Sequence, residues 1–420
     1  MLAASLGAAG PAAATPAPAQ EEPPPEPPPA IRLSGDLRER VTWQSALAFD
    51  STDPDAGLFW TQRVALAADA SLAPAVRVRA ALVSALIEGE SEQSPVERNV
   101  LDLQEAFVEL GPETAFVRIG RQEIRLGSQR LVAVRDGTTV RRTWDGVRGH
   151  AMLGKVTLDA FALRLVAVRP EGVFNDGRNE NRDLAGVQAS FPAPLGALEA
   201  YWLLTIHDER RTIAGTGDER RHSLGLRAHG EAQGWFWDWE AAYQTGRFAG
   251  GDIAAWTLAT KTGYRWEGRK WQPELMLSAN IASGDGDPGD GTLRTFNALY
   301  PNASYFSENA VLGPANFFNL HPYLKLRPRE NLTVGLDLNL FWRLERADGV
   351  YNPQGALIRA PGASRKRFVD AALSGVIEWA PREGLLLSLV ATRSQPQGFI
   401  RATGPADPSD FVEATLQFTF

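Results

Sequence analysis

The residues best equipped for chemistry in this chain are its arginines. Among 43 basic residues there are 38 arginines and only 5 lysines. A guanidinium stays charged at any working pH, and its planar fork matches a carboxylate through two parallel hydrogen bonds. One stretch is dense in them: Arg118, Arg121, Arg125, Arg130, Arg135, Arg141, Arg142 and Arg148. Others stand on the polar side of alternating segments, among them Arg38, Arg63, Arg164, Arg227, Arg265, Arg327 and Arg343. Gathered on one wall, such groups attract anions and repel cations. Asp36, Asp69, Glu105, Glu240, Asp337 and Glu345 share that polar side, so pairing that merely fills an interior is the alternative. The formal charge of −7 does not choose between them, because acids on external loops count equally.

A second cluster is acidic. Asp285, Asp287 and Asp290 lie in a Gly-rich run, 284–291, and offer the oxygen ligands Ca²⁺ prefers. The spacing departs from D-x-[DN]-x-[DN]-G and lacks a closing Glu, so a flexible acidic loop or lid competes with a Ca²⁺ site. Phe296, Tyr300, Tyr305 and Phe306 could pack that loop into a cavity mouth. Nucleophilic chemistry has little to stand on. There is no cysteine, which removes disulfides, thiolate metal sites and Cys nucleophiles. His150, His207, His222, His229 and His321 are scattered and form no HExxH pair; G-x-S-x-G and P-loop motifs are absent. No enzyme and no required cofactor is expected. The acidic balance argues against nucleic acid as a partner.

The elements that would carry these side chains alternate with a period of two. Leu332, Val334, Leu336, Leu338, Leu340, Trp342 and Leu344 face Thr333, Gly335, Asp337, Asn339, Phe341, Arg343 and Glu345. Strict alternation over 13 residues is a strand signal. About eighteen such segments run from Ile31 to Phe420, many of 10 to 15 residues. That exceeds the usual strand length of roughly 5–6 residues and suits a membrane barrel. Tight turns such as 73–74 and 381–384 alternate with long polar loops such as 122–140, 169–183, 284–316 and 346–366. Trp43, Trp60, Trp202, Trp235, Trp237, Trp239, Trp256, Trp266, Trp271 and Trp379 fall near strand ends, where rings meet the membrane boundary. No run of 18 apolar residues exists, which excludes a helical membrane protein. A soluble β-sandwich would also alternate. The long strands, the aromatic ends and a last strand closing on Phe418 and Phe420 favour a single transmembrane antiparallel β-barrel with long external loops. Its environment is then the lipid of a Gram-negative outer membrane.

Three regions follow. Residues 1–19 are Ala-rich and end in Ala17-Pro18-Ala19, an A-x-A-like pattern expected of a signal-peptide remnant, although the basic n-region is missing. Residues 20–30 are a Pro/Glu-rich flexible spacer. Residues 31–420 form the barrel.

Arg118-Ile119-Gly120-Arg121-Gln122-Glu123-Ile124-Arg125-Leu126-Gly127-Ser128-Gln129-Arg130-Leu131 resembles the G-R-Q-x-x-x-x-G-x-x-R-L signature of the alginate export (AlgE-like) outer-membrane family. Asp102 to Val108 looks like the strand preceding it, and 284–291 with 295–301 is similar to a further family block. The resemblance implies an 18-strand monomeric barrel with an electropositive constriction built from Arg and acidic partners. It carries a substrate-conduction role onto Glu105, Arg118, Arg121, Arg125 and Arg130, with Arg148 as an extension. It further implies passage of an anionic polysaccharide of the alginate type, supplied by periplasmic export machinery. An uptake porin for other small or anionic solutes is the rival expectation, and a plugged structural or adhesion barrel a third.

Overall fold

Alternation places apolar side chains on one face of each strand and polar ones on the other, which satisfies lipid and lumen at once. The computed structural model describes residues 31–53, 56–89, 96–302 and 309–420. The expected signal remnant and spacer, and Tyr305 and Phe306, lie outside the described residues. Eighteen long strands build one antiparallel wall. They are β1 (Ile31–Gln44), β2 (Gly57–Ala73), β3 (Val76–Glu88), β4 (Asn99–Leu110), β5 (Ala115–Gln122) and β6 (Trp144–Leu153). Next come β7 (Val156–Ala167), β8 (Gly177–Ala193), β9 (Gly196–Thr212), β10 (Gly215–Ala232), β11 (Trp235–Phe248) and β12 (Gly251–Arg265). The wall ends with β13 (Glu274–Ala282), β14 (Phe317–Arg329), β15 (Leu332–Arg343), β16 (Phe368–Arg382), β17 (Leu385–Pro396) and β18 (Ser409–Thr419). β18 pairs with β1 from Asp36↔Thr419 to Gln44↔Phe411, so the sheet closes and leaves no open edge. In hydrocarbon only such closure satisfies every backbone group of a sheet.

The side chains divide as the alternation requires. On β15, Leu336 is exposed while Gly335, Asp337, Asn339, Phe341 and Arg343 are buried. Leu33, Trp43, Leu66, Leu226, Trp239 and Leu373 are exposed on the outer surface. Phe420 donates to and accepts from the Gly35 backbone at 3.1 and 3.0 Å. Its ring lies where a Cβ on Gly35 would come within 2.3 Å, so a larger residue there would displace the Phe420 ring.

One end of the wall carries tight turns, for example 74–75, 154–155, 194–195, 330–331 and 383–384. The other carries 45–56, 123–143, 283–316, 344–367 and 397–408. In barrels of this kind the short turns are periplasmic and the long loops extracellular. Two departures from the alternation pattern matter. β8 starts at Gly177 rather than near residue 183, and β9 and β10 run on to a two-residue turn at 213–214. Both faces are polar beyond His207, so the period fades there. Glu209 also has φ 53°, and the register shifts between Gly217 and Glu219, which breaks the parity.

The loop-end half of the lumen is filled by the chain itself. Loops 123–143 and 283–316 meet as a short parallel ladder between Val132 and Tyr300. Ala133 N donates to Tyr300 O at 2.9 Å, and Tyr300 N to Leu131 O at 2.8 Å. Trp144 meets the Tyr300 ring edge-on at 4.7 Å. Phe296, Leu312, Phe317, Phe341, Phe399 and Ile400 extend the same buried apolar cluster. Phe296 and Tyr300 therefore do pack the long loop inward, as their placement in sequence suggested.

Candidate functional site

The 123–143 loop is held to the wall at its start by a hydrogen bond and further along by ion pairs. At its start, Glu105 on β4 accepts from Arg79 Nε at 2.6 Å and from the Glu123 backbone N–H at 3.2 Å. Arg79 also holds Asp69. Across the lumen, Arg130 reaches β11 and meets Glu240 at 3.1 Å and Asp238 at 3.4 Å. Ser128 Oγ donates to Glu240 as well, and Tyr201 Oη donates to Glu240 at 2.7 Å. Glu105 and Arg130 are buried, and their geometry is that of anchors for this inserted loop.

Arg118 and Arg148 are cross-strand neighbours on β5 and β6 and point into the periplasmic half of the lumen. Each is capped by one carboxylate. Arg118 Nε and Nη2 donate to Glu109 at 2.9 and 2.6 Å, and Arg148 Nε and Nη2 to Asp159 at 2.9 and 2.7 Å. Arg118 also lies over the Phe107 ring at 4.2 Å. Arg125 sits on the inserted loop with a side chain 55% exposed and Glu123 at 3.6 Å. Burial, the largest influence, raises the Glu123 carboxyl above its ordinary value.

Arg121 and Arg164, expected on the lumen wall, face outward. Arg121 follows Arg118 by three residues, and in a strand an odd spacing means opposite faces. Its Nε donates to Asp145 at 3.0 Å, while the adjacent Trp144 is the one buried in the lumen. Asp145 lies directly opposite Arg164, and Arg164 opposite Asp183, to which its Nε donates at 2.6 Å. The neighbouring Leu163 and Leu184 are the buried, inward residues of β7 and β8.

Three neighbouring cavities line up inside. One of about 310 Å³ is bordered by Arg182, His207, Arg210, Tyr300 and Gln354. A second of about 300 Å³ shares Arg182, Tyr300 and Gln354 with it and adds Arg135, Arg141 and Arg142. A third of about 650 Å³ shares Val96 and Arg135 with the second and continues along β1, β14 and β16–β18, past Arg38, Arg40, Lys325 and Glu378. Six cations on these cavities have no carboxylate in ion-pair contact among the described residues; one of them, Arg211, borders the first cavity with its side chain exposed. Arg142 donates only to the carbonyls of Ala133 (3.0 Å) and Tyr300 (2.6 Å). Arg135 donates to Thr138 Oγ1 and the Val140 carbonyl, and Arg38 to the carbonyls of Asp136 and Thr138. Arg182 and Lys325 have neither hydrogen bond nor ion pair among the described residues. Burial pulls the Arg142 guanidinium down to about 9 and Arg135 to about 10, which measures how poorly these charges are compensated. Of the acids on the third cavity, Glu413 meets Arg40 at 3.2 Å and Glu97 accepts from Thr139 N–H at 2.9 Å.

Arg38, Arg135 and Arg142 were legible as candidates from sequence. Arg182 was missed because its segment reads as loop. Lys325 occupies the polar parity of β14, but a lone lysine on an alternating strand carries no signal that separates it from an ordinary lumenal side chain.

The acidic run does not gather its carboxylates. Asp285 accepts from the backbone N–H groups of Asp287 (3.1 Å) and Arg294 (3.3 Å). Asp287 caps Gly289, and Asp290 caps Thr292 and meets Arg294 at 2.8 Å. Among the described residues no three His, Asp or Glu side chains are grouped to hold a metal ion. The three aspartates shape turns, each satisfying its own loop.

Among curated proteins none shows significant similarity. Solved structures share the architecture at low identity. Pseudomonas aeruginosa OccK11 (OpdR) is 13% identical with TM-score 0.61, covering 93% of this chain and 96% of that one. Pseudomonas aeruginosa OccK2 (OpdF), solved in complex with glucuronate, is 13% identical with TM-score 0.62 over 93% and 98% of the two chains. A BenF-like porin from Pseudomonas fluorescens Pf-5 is 10% identical with TM-score 0.64 over 93% and 98%. These likenesses establish the fold. The family model for alginate export matches residues 30–412, nearly the whole barrel, and with its closed 18-strand wall the chain belongs to the alginate export family of the Gram-negative outer membrane.

Proposed function

We propose that this barrel conducts anionic saccharides, and that its cargo is a polyuronate of the alginate type. The observation that carries this is the series Arg182, Arg142, Arg135, Arg38 and Lys325 along three adjoining cavities, each without a carboxylate partner among the described residues. A polyuronate brings one carboxylate per sugar. A narrow lumen strips water from it, and successive guanidinium groups replace that hydration. Conduction needs sites strong enough to admit the ion and weak enough to release it, which several half-occupied cations provide better than one tight cage. Arg142 and Arg135 already spend part of their donor capacity on backbone carbonyls, so neither would hold a passing carboxylate with its full fork. No chemical step is required.

Uptake of small acidic sugars is the second reading. One structural neighbour was solved with glucuronate bound, and cavities of about 300 Å³ fall in the small-ligand range. The test is planar-bilayer conductance with mannuronate and guluronate added as monomers and as oligomers. Block that strengthens with oligomer length supports polymer passage. Equal block by monomer and oligomer supports the uptake channel, and no block by either removes both.

A further inference from the structure

The outward charge row that contains Arg121, Asp145, Arg164 and Asp183 continues across the next four strands. Asp183 is opposite Ile206 on β9, Ile206 opposite Arg220 on β10, Arg220 opposite Arg247 on β11, and Arg247 opposite Asp252 on β12. The first four members alternate in sign and pair. At Arg220 and Arg247 the alternation breaks: two like charges stand directly across from each other, an arrangement that costs stability in a sheet. Arg247 meets Asp252 at 2.7 Å with both side chains 68% exposed, and Arg220 is exposed with no hydrogen bond or ion pair among the described residues.

Their depth in the membrane follows from register. Trp202, Leu224, Tyr243 and Trp256 form a parallel row on the same outer surface, four residues nearer the periplasm on each strand. All four are exposed apolar or aromatic side chains, as expected of the outer aromatic girdle. Four residues are about 13 Å along a strand, or roughly 10 Å along the membrane normal at the usual tilt. The arginine pair therefore lies just beyond the hydrocarbon edge of the outer leaflet, at headgroup level.

We propose that Arg220 and Arg247 bind a phosphate group of an outer-leaflet glycolipid. Asp252 offsets only one of the two guanidinium charges; a phosphate carries the further negative charge and enough acceptor oxygens for both forks. Acyl chains of the same molecule would lie against Leu224, Leu226 and Tyr243 below. At the low-dielectric boundary the attraction is screened less than in bulk water.

The test uses the full-length barrel in detergent, titrated with a phosphorylated glycolipid or its dephosphorylated form and read by native mass spectrometry. The wild-type barrel should retain the phosphorylated lipid. Arg220→Gln with Arg247→Gln should weaken retention at least about ten-fold, the loss of one charge-assisted hydrogen bond. The dephosphorylated lipid should bind both proteins equally and more weakly. Arg220→Gln alone removes no contact within the protein, so it separates lipid binding from folding, and heat-modifiable mobility on gels should be unchanged. Equal retention by wild type and both variants would overturn the proposal. So would equal binding of the phosphorylated and dephosphorylated lipids, or full competition by millimolar inorganic phosphate, which would make the site one for free anions.

Discussion

At the scale of single residues, the arginines that border the inner cavities or reach into the lumen fall into three physical classes. Some are neutralised in the lumen wall, such as Arg118 by Glu109 and Arg148 by Asp159. Some fasten a loop, as Arg130 does through Asp238 and Glu240. A few on the cavities meet only carbonyls, a hydroxyl or nothing, and these carry the proposed selectivity. The classes separate in experiment. Arg130→Ser leaves Glu240 buried without its cation and should cost about 3 kcal/mol in urea unfolding of the refolded barrel. Arg182→Ser breaks no contact, so stability should stay within about 0.5 kcal/mol while the reversal potential moves toward zero. Arg182→Lys should restore most of that potential. Parity alone could have assigned Arg121, since 118 and 121 differ by an odd number and cannot share a strand face. What sequence could not supply is partnership. Arg118 and Glu109 are nine residues apart, but Arg130 and Glu240 are 110 apart, and only closure of the wall brings them together.

At the scale of elements, eighteen alternating segments were readable because lipid enforces the period on the outer face. The strand ends near 177 and 212 were not, because above the membrane both faces are wet and the constraint disappears. The inserted loops were readable only as long polar stretches; their ladder at Val132 and Tyr300 depends on contacts across the lumen. Two expectations belong here. Deleting Phe420 removes both bonds to Gly35 at the closing seam, and heat-modifiable barrel should be lost from outer-membrane fractions. The anchoring of the 123–143 loop should resist acid. Burial alone would raise the Asp136 carboxyl, but Arg141, Arg63 and Arg38 together hold it down at about 2. A depressed carboxylate contributes fully above its free value of 3.8 and loses that contribution as pH falls through about 2. Single-channel noise should therefore stay flat from pH 7 to about 4 and rise only below roughly 3.

At the scale of the whole molecule, the barrel separates two electrostatic tasks by strand parity. The inward faces carry compensated arginines toward the periplasm, and uncompensated cations run from the inserted loops down to Lys325. The outward faces stay apolar across the membrane and become charged at its outer edge. Net charge obscures this, since −7 for the chain coexists with uncompensated cations on its inner cavities. The most direct measurement is the reversal potential of the refolded barrel in a planar bilayer under a tenfold salt gradient, before and after addition of uronate oligomers. The account expects an anion-selective current that the oligomers block, with selectivity reduced in the Arg182→Ser, Arg142→Ser double variant. A cation-selective or unselective current, indifferent to uronate, would contradict it.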